Sequence, residues 1–137
     1  MGYTFPRVSK HSPLVKRGIS GLGLFAKGPI KRGDFVIEYW GRVVTDEEAD
    51  KKGGKYLFKV ERGKTIDGTT RKNVARYINH SCKPNCKAEM DGTRVFISAR
   101  RAIQPGEEIT YDYGKEYWED HIGPKRCGCV SCTENRK

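Results

Sequence analysis

Glycine and proline recur so densely along this chain that extended helices have no room to form. Sixteen glycines and six prolines fall among 137 residues, and these two residues are the strongest punctuators of local structure. The stretches between them, "GLFA", "DFVIEYWG", "KYLFKV", "RVFISARRAI" and "EEITYDYG", are short and β-branched or aromatic, and they read as strands. The intervening "KGPIKRGD", "KKGGK", "ERGKTIDGTT", "MDGT" and "IQPGE" read as turns. Only "TDEEADKKG" reads as a helix, with Thr45 as its N-cap and Glu48 at the capping-box position. Long helices do not alternate with strands, so a Rossmann-type sheet is not expected. The expected architecture is mostly β, built from several small sheets, with no internal repeat.

A length of 137 residues suits a single domain. With 36% hydrophobic and 32% charged residues, the composition predicts a soluble, polar globule. No run approaches the roughly 18 apolar residues a membrane span needs. The N-terminal "MGYTFPRVSKHSPLVKRG" lacks the apolar region of a secretory signal. Met1-Gly2 begins like a myristoylation site, but the Ser or Thr that completes that motif is missing. The net charge is +10, spread along the chain. It is open whether that charge meets a polyanion or is a solvated basic surface. The five cysteines are an odd number, which argues against a disulfide framework. Three of them crowd into "CGCVSC", which points to zinc.

Three stretches carry chemistry. "ARYINHSCKPNC", residues 75 to 86, is rich in reactive groups and poor in core formers. By itself it suits a metal site, a nucleophile with its base, or a cofactor-binding loop. "GISGLGLFA" sets Gly18, Gly21 and Gly23 just before a strand. Glycine lets a ligand approach the backbone, although a plain tight turn needs the same residues. No helix follows, so this is not a dinucleotide fingerprint. "EEITYDYG" alternates, placing Ile109, Tyr111 and Tyr113 on one face, toward either a core or a site.

Taken in order, with the terminal cysteine cluster and "KGPIKRGDFVIEYWGRVVTDEEAD", these stretches resemble the SET-domain protein lysine methyltransferases. The resemblance runs over roughly residues 14 to 132. It implies a SET-domain fold of small curled β-sheets with a C-terminal pseudoknot and a small zinc-binding tail. The implied divisions are an extension at 1–13, the SET domain at 14–115 and a post-SET tail at 116–137. The pseudoknot would bring "RYINHSC" beside "ITYDYG" and form a site for S-adenosylmethionine where they cross. Backbone groups of Asn79 and His80, and the Leu22-Gly23-Leu24 turn, would hold the cofactor. The Asn79 side chain would bond its methionine part. Arg76 and Tyr56 would line the pocket, Pro84 and Asn85 would shape the turn, and the His80 ring would orient its neighbours. Trp118 would stack on adenine or close the core.

The resemblance also implies that Tyr39, Tyr111 and Tyr113 form the lysine channel. Tyr113 would be the essential tyrosine, its hydroxyl near the methyl group and the amine. Tyr111 occupies a Phe/Tyr switch position, which implies mainly mono- and dimethylation. Cys82, Cys127, Cys129 and Cys132 would hold one structural zinc, with Cys86 a spare thiol. The tail departs from the family here: it reads C-x-C-x-x-C, where a longer last spacing is usual. The implied partner is a protein lysine in an extended peptide, on a histone or nucleosome. Nucleic acid could be touched through the basic surface, and no membrane is involved. The implied location is intracellular, nuclear in a eukaryote. A different class stays open from charge and aromatics: a zinc-stabilised basic module that grips nucleic acid or reads methyl-lysine without catalysis.

Overall fold

A computed structural model describes residues 6–18, 21–54 and 56–113. Its strands are β1 (Leu14–Gly18), β2 (Gly21–Phe25), β3 (Phe35–Tyr39), β4 (Arg42–Thr45), β5 (Leu57–Lys59) and β6 (Lys64–Asp67). They continue with β7 (Asn79–His80), β8 (Cys86–Asp91), β9 (Arg94–Ala99) and β10 (Glu108–Tyr111). Helix α1 spans Asp46–Lys52, and a 3-10 turn spans Val74–Tyr77. The strands form three small sheets, ordered β1-β2-β10-β7, β3-β9-β8 and β4-β6-β5. The mostly β architecture is therefore as the glycine and proline spacing predicts. The expected post-SET tail and the expected zinc ligands, apart from Cys82, lie outside the described residues.

The strand reading differs in detail. The sequence analysis assigns no strand to β1, β4, β7 or β8, and it reads β6 inside a turn. β6 is the middle strand of its sheet, paired with β4 on one side and β5 on the other. Its short "KTID" lies in a run flanked by glycines that looks like a turn. β8 is largely polar and exposed, and its ladder to β9 holds it through Cys86↔Ala99 to Asp91↔Arg94. "RVFISARRAI" leaves the ladder after Ala99, and Ile103 makes an isolated bridge with Ile30. Helix α1 begins as expected, with the Thr45 hydroxyl accepting from the Glu48 N–H at 3.1 Å.

The core gathers between the first two sheets. Leu24, Val36, Val95, Ile97 and Ile109 are fully buried, joined by Ile30, Ile78 and Ile103. Each such side chain contributes about 1.5–3 kcal/mol through burial. β9 alternates buried and half-buried residues along its whole length, as a strand with one face in the core must. Residues 6–13 are docked on β3 and its flank. The Arg7 N–H donates to Glu38 Oε1 at 2.8 Å, and Ser9 Oγ donates to the Phe35 carbonyl at 3.1 Å. The buried Glu38 carboxylate also takes two hydrogen bonds from Arg94, at 2.9 and 2.6 Å.

One connection matters most for function. β10, the last described strand, lies between β2 and β7. It runs antiparallel to β2 (Glu108↔Phe25, Ile109↔Leu24) and parallel to β7 (Thr110↔Asn79, Tyr111↔His80). Chain ends seldom insert between earlier strands in this way. The segment after β7 grips β10 from one side. Asn85 Nδ2 donates to the Glu108 carbonyl at 2.8 Å, and the Thr110 N–H donates to Asn85 Oδ1 at 2.9 Å. The Ser81 N–H donates to the Tyr111 carbonyl at 3.2 Å.

Candidate active site

The insertion of β10 brings three distant stretches of sequence to one place. Asn79 is partly exposed at the start of the two-residue β7. Its Nδ2 donates to the Leu22 carbonyl at 3.0 Å and to Glu108 Oε2 at 2.7 Å. β7 is the outer strand of its sheet, so its far edge can offer backbone groups to a ligand. Across the ladder, Gly21 has φ +97°, a conformation that favours glycine. Leu22 is about half exposed, whereas Leu24 is fully buried in the core.

His80 is buried, and both ring nitrogens are engaged. Nδ1 accepts from the Tyr113 N–H at 3.1 Å, which places the proton of the neutral ring on Nε2. Nε2 then donates to Cys82 Sγ at 3.3 Å. Burial lowers the affinity of the ring for a second proton, with Asp112 opposing. His80 is thus a neutral ring that ties β7 to the chain beyond β10, and no nitrogen is left to act as a general base.

Beside this pair runs a row of aromatic rings. Tyr39 packs on Phe58 at 5.4 Å between centroids, Phe58 on Tyr111 at 6.4 Å and Tyr111 on Tyr113 at 5.0 Å. Tyr113 meets His80 edge-on at 5.2 Å. The Tyr113 hydroxyl donates to the Ile78 carbonyl. Tyr39 is buried, and a Cβ on Gly68 would lie 2.5 Å from its hydroxyl oxygen, so position 68 admits only glycine without a shift. Asn73, fully buried, ties this wall together. Its Oδ1 accepts from the Trp40 N–H at 3.2 Å, and its Nδ2 donates to the Gly68 carbonyl at 3.1 Å.

Arg76 lies on the 3-10 turn, which packs against β2. Its guanidinium stacks on Tyr56 at 4.3 Å and on Tyr77 at 5.2 Å, and Nη1 donates to the Thr69 carbonyl. Its Nε is buried with no hydrogen-bond partner among the described residues, an orphaned donor of a costly kind. The acceptors Leu22 O and Asn79 Oδ1, side by side, suit a group that donates, such as an ammonium.

Residues 21–114 match the protein family described as SET domain. This chain belongs to the SET-domain family. Its relatives include histone-lysine N-methyltransferase 2D of Homo sapiens, 37% identical over 134 residues that cover 88% of this chain and 2% of that protein. The histone-lysine N-methyltransferase, H3 lysine-4 specific, of Schizosaccharomyces pombe is 41% identical over 127 residues, covering 83% of this chain and 14% of the relative. Histone-lysine N-methyltransferase ATX2 of Arabidopsis thaliana is 38% identical over 153 residues, covering 96% and 14%. The chain spans only a small part of the length of these relatives.

Within this SET domain, the structure gathers Leu22, Gly23, Asn79, His80, Tyr111 and Tyr113 around β10, with Tyr39 joined to them through Phe58. Tyr56 and Arg76 form a stacked pair at the 3-10 turn. Trp118, Cys127, Cys129 and Cys132 lie outside the described residues. Cys82 is at the surface beside His80. Among the described residues, no group of three His, Cys, Asp or Glu side chains is placed to hold a metal. Cys86 is a core residue at 0% exposure, and burial pushes its thiol up to about 12, with Arg101 opposing. Among the described residues, no helix is long and apolar enough to cross a membrane.

Sequence reasoning missed Phe58, Asn73 and Glu108. Phe58 was findable: Tyr56 and Phe58 are two apart in a strand-like stretch, hence on one face. Nothing in the sequence marks Asn73 as buried. Glu108 sits inside the quoted "EEITYDYG" motif, but only the tertiary pairing reveals its contact with Asn79.

Proposed function

We propose that this chain is an S-adenosylmethionine-dependent protein-lysine N-methyltransferase. Its expected substrate is a histone or histone-like lysine, and its main products mono- and dimethyl-lysine. The observation that carries this reading is the insertion of β10. One strand sets Glu108 beside the acceptors Leu22 O and Asn79, and three residues later it turns Tyr111 into the aromatic row that continues to Tyr113.

When bound, S-adenosylmethionine supplies a methyl group made electrophilic by its sulfonium. The chain's part is to bind, align and dry. The Leu22 carbonyl and Asn79 Oδ1 would accept from the ammonium of the methionine part, and Arg76 with Tyr56 would line the pocket. The Tyr39, Phe58, Tyr111 and Tyr113 rings would pack along the aliphatic stem of a lysine. A lysine with a pKa near 10.4 must lose a proton first, which costs about 4.6 kcal/mol at pH 7. An apolar channel beside a fixed positive charge favours the neutral amine. The proton can then leave to bulk water, in keeping with an His80 whose nitrogens are both engaged. What remains is alignment of the amine with the methyl group. The Tyr113 oxygen, its proton committed to Ile78, keeps lone pairs that suit weak contacts from a polarised methyl group.

Two further parts belong to this proposal. Cys82, with Cys127, Cys129 and Cys132, supplies four thiolates of the kind that close around a structural zinc. The hydrogen bond from His80 Nε2 to Cys82 Sγ suits a thiolate at that position. The net charge of +10 disfavours steering of a free, basic histone tail but suits a nucleosome, whose DNA can meet the basic surface. A nuclear location in a eukaryote follows from such a substrate.

The test is thermal. Saturating S-adenosylhomocysteine should raise the melting temperature, because a ligand that binds only the native state stabilises it. Asn79→Ala should lose most of that rise. A wild-type melting temperature that does not move would remove the cofactor reading.

A further inference from the structure

We propose that Glu108 is a positioning residue for the cofactor: it fixes the Asn79 carboxamide, and it is the reason position 23 is glycine. The proposal rests on the S-adenosylmethionine reading above. Asn79 Nδ2 carries two hydrogens, and both are taken, by Leu22 O at 3.0 Å and Glu108 Oε2 at 2.7 Å. A carbonyl and a carboxylate can only accept. Flipping the carboxamide would set Oδ1 against both of them, so the amide has one orientation. Oδ1 is left as the acceptor, and whatever binds it must donate, as an ammonium does. The Glu108 carboxylate next to it adds a negative charge that favours a cation at the same spot.

The two glycines of Gly21-Leu22-Gly23, at the start of β2, then have different causes. Gly21 has φ +97° and no atom within 4 Å of a would-be Cβ, so its glycine is required by backbone conformation. Gly23 is not among the glycines with positive φ. A Cβ there would lie 2.5 Å from Glu108 Oε2, 3.1 Å from its Cδ and 3.2 Å from Asn79 Nδ2. What position 23 cannot tolerate is therefore the Glu108–Asn79 pair. Because the nearest obstacle is the far end of a flexible side chain, Gly23→Ala would push Glu108 aside more readily than it would unfold the chain. It would then act on the cofactor through the same loss as removal of Glu108.

The experiment is calorimetric titration with S-adenosylhomocysteine, and with methylthioadenosine, which lacks the amino-acid end. Glu108→Gln keeps an oxygen that accepts from Asn79 and should bind S-adenosylhomocysteine within about threefold of wild type. Glu108→Ala and Gly23→Ala should each bind it about tenfold or more weakly, the loss of one hydrogen bond at a charged group. The double variant should be no weaker than the weaker single, since both changes remove one arrangement. Methylthioadenosine should bind all five proteins alike. Losses that add in the double variant, or that appear equally with methylthioadenosine, would overturn the proposal while leaving the cofactor reading intact. So would a Glu108→Ala protein that binds like wild type. A wild-type chain that binds no S-adenosylhomocysteine would overturn both.

Discussion

The Tyr113 hydroxyl has a place in the fold and, in the proposed reaction, a second one in the chemistry. It donates to the Ile78 carbonyl, and its ring lies between Tyr111 and His80. Tyr113→Phe keeps the ring and deletes the hydroxyl. Turnover should fall at least about a hundredfold, while affinity for S-adenosylhomocysteine changes little. The lost hydrogen bond should cost about 1 kcal/mol of stability, visible in denaturant melts. Near-normal turnover would place the essential group elsewhere. At this scale the sequence was informative wherever a residue type is rare and its spacing fixed: Asn79, His80, Tyr111 and Tyr113, singled out from separate stretches, lie together around β10. It was silent on Glu108 and Asn73, because a polar side chain acquires its meaning from a partner across the sheet. For Asn79 that partner is 29 positions away in sequence, and for the Asn73–Trp40 bond the separation is 33.

β10 could be recognised as a strand from its alternating "EITY", but its neighbours could not. β7 has two residues and exists only because Thr110 and Tyr111 pair with it. No local pattern encodes so short an element. β8 was hidden by its polarity, since an exposed strand lacks the apolar alternation that identifies others. The Asn85 carboxamide holds β10 at two points, because it satisfies the Glu108 carbonyl and the Thr110 N–H together. Asn85→Ala leaves two backbone groups without these partners and should cost about 2–3 kcal/mol. Amide exchange at Thr110 should accelerate, and S-adenosylhomocysteine should bind more weakly as β10 loosens. Unchanged exchange at Thr110 would show that β2 and β7 alone hold the strand.

At the level of the whole molecule, three small sheets share a modest core, and the site lies where the last described strand inserts between early ones. The fold class was predictable from glycine and proline spacing, whereas the order of strands within each sheet was not. In the four-cysteine proposal, a metal would tie the tail to the domain. The purified chain should carry about one zinc. Cys129→Ser should lose the metal together with activity, and a strong chelator should do the same to the native protein. Full activity without metal would refute the four-cysteine proposal. The reaction itself is tested most directly by mass spectrometry of core histones and nucleosomes incubated with the chain and S-adenosylmethionine over time. Methyl groups should appear on lysine, first as monomethyl-lysine and then more slowly as dimethyl-lysine, if the Tyr111 hydroxyl has the proposed role of limiting the room for a growing amine. Histones that gain no methyl-lysine at any time would contradict the proposed substrate and reaction, and a direct run to trimethyl-lysine would contradict the role given to Tyr111.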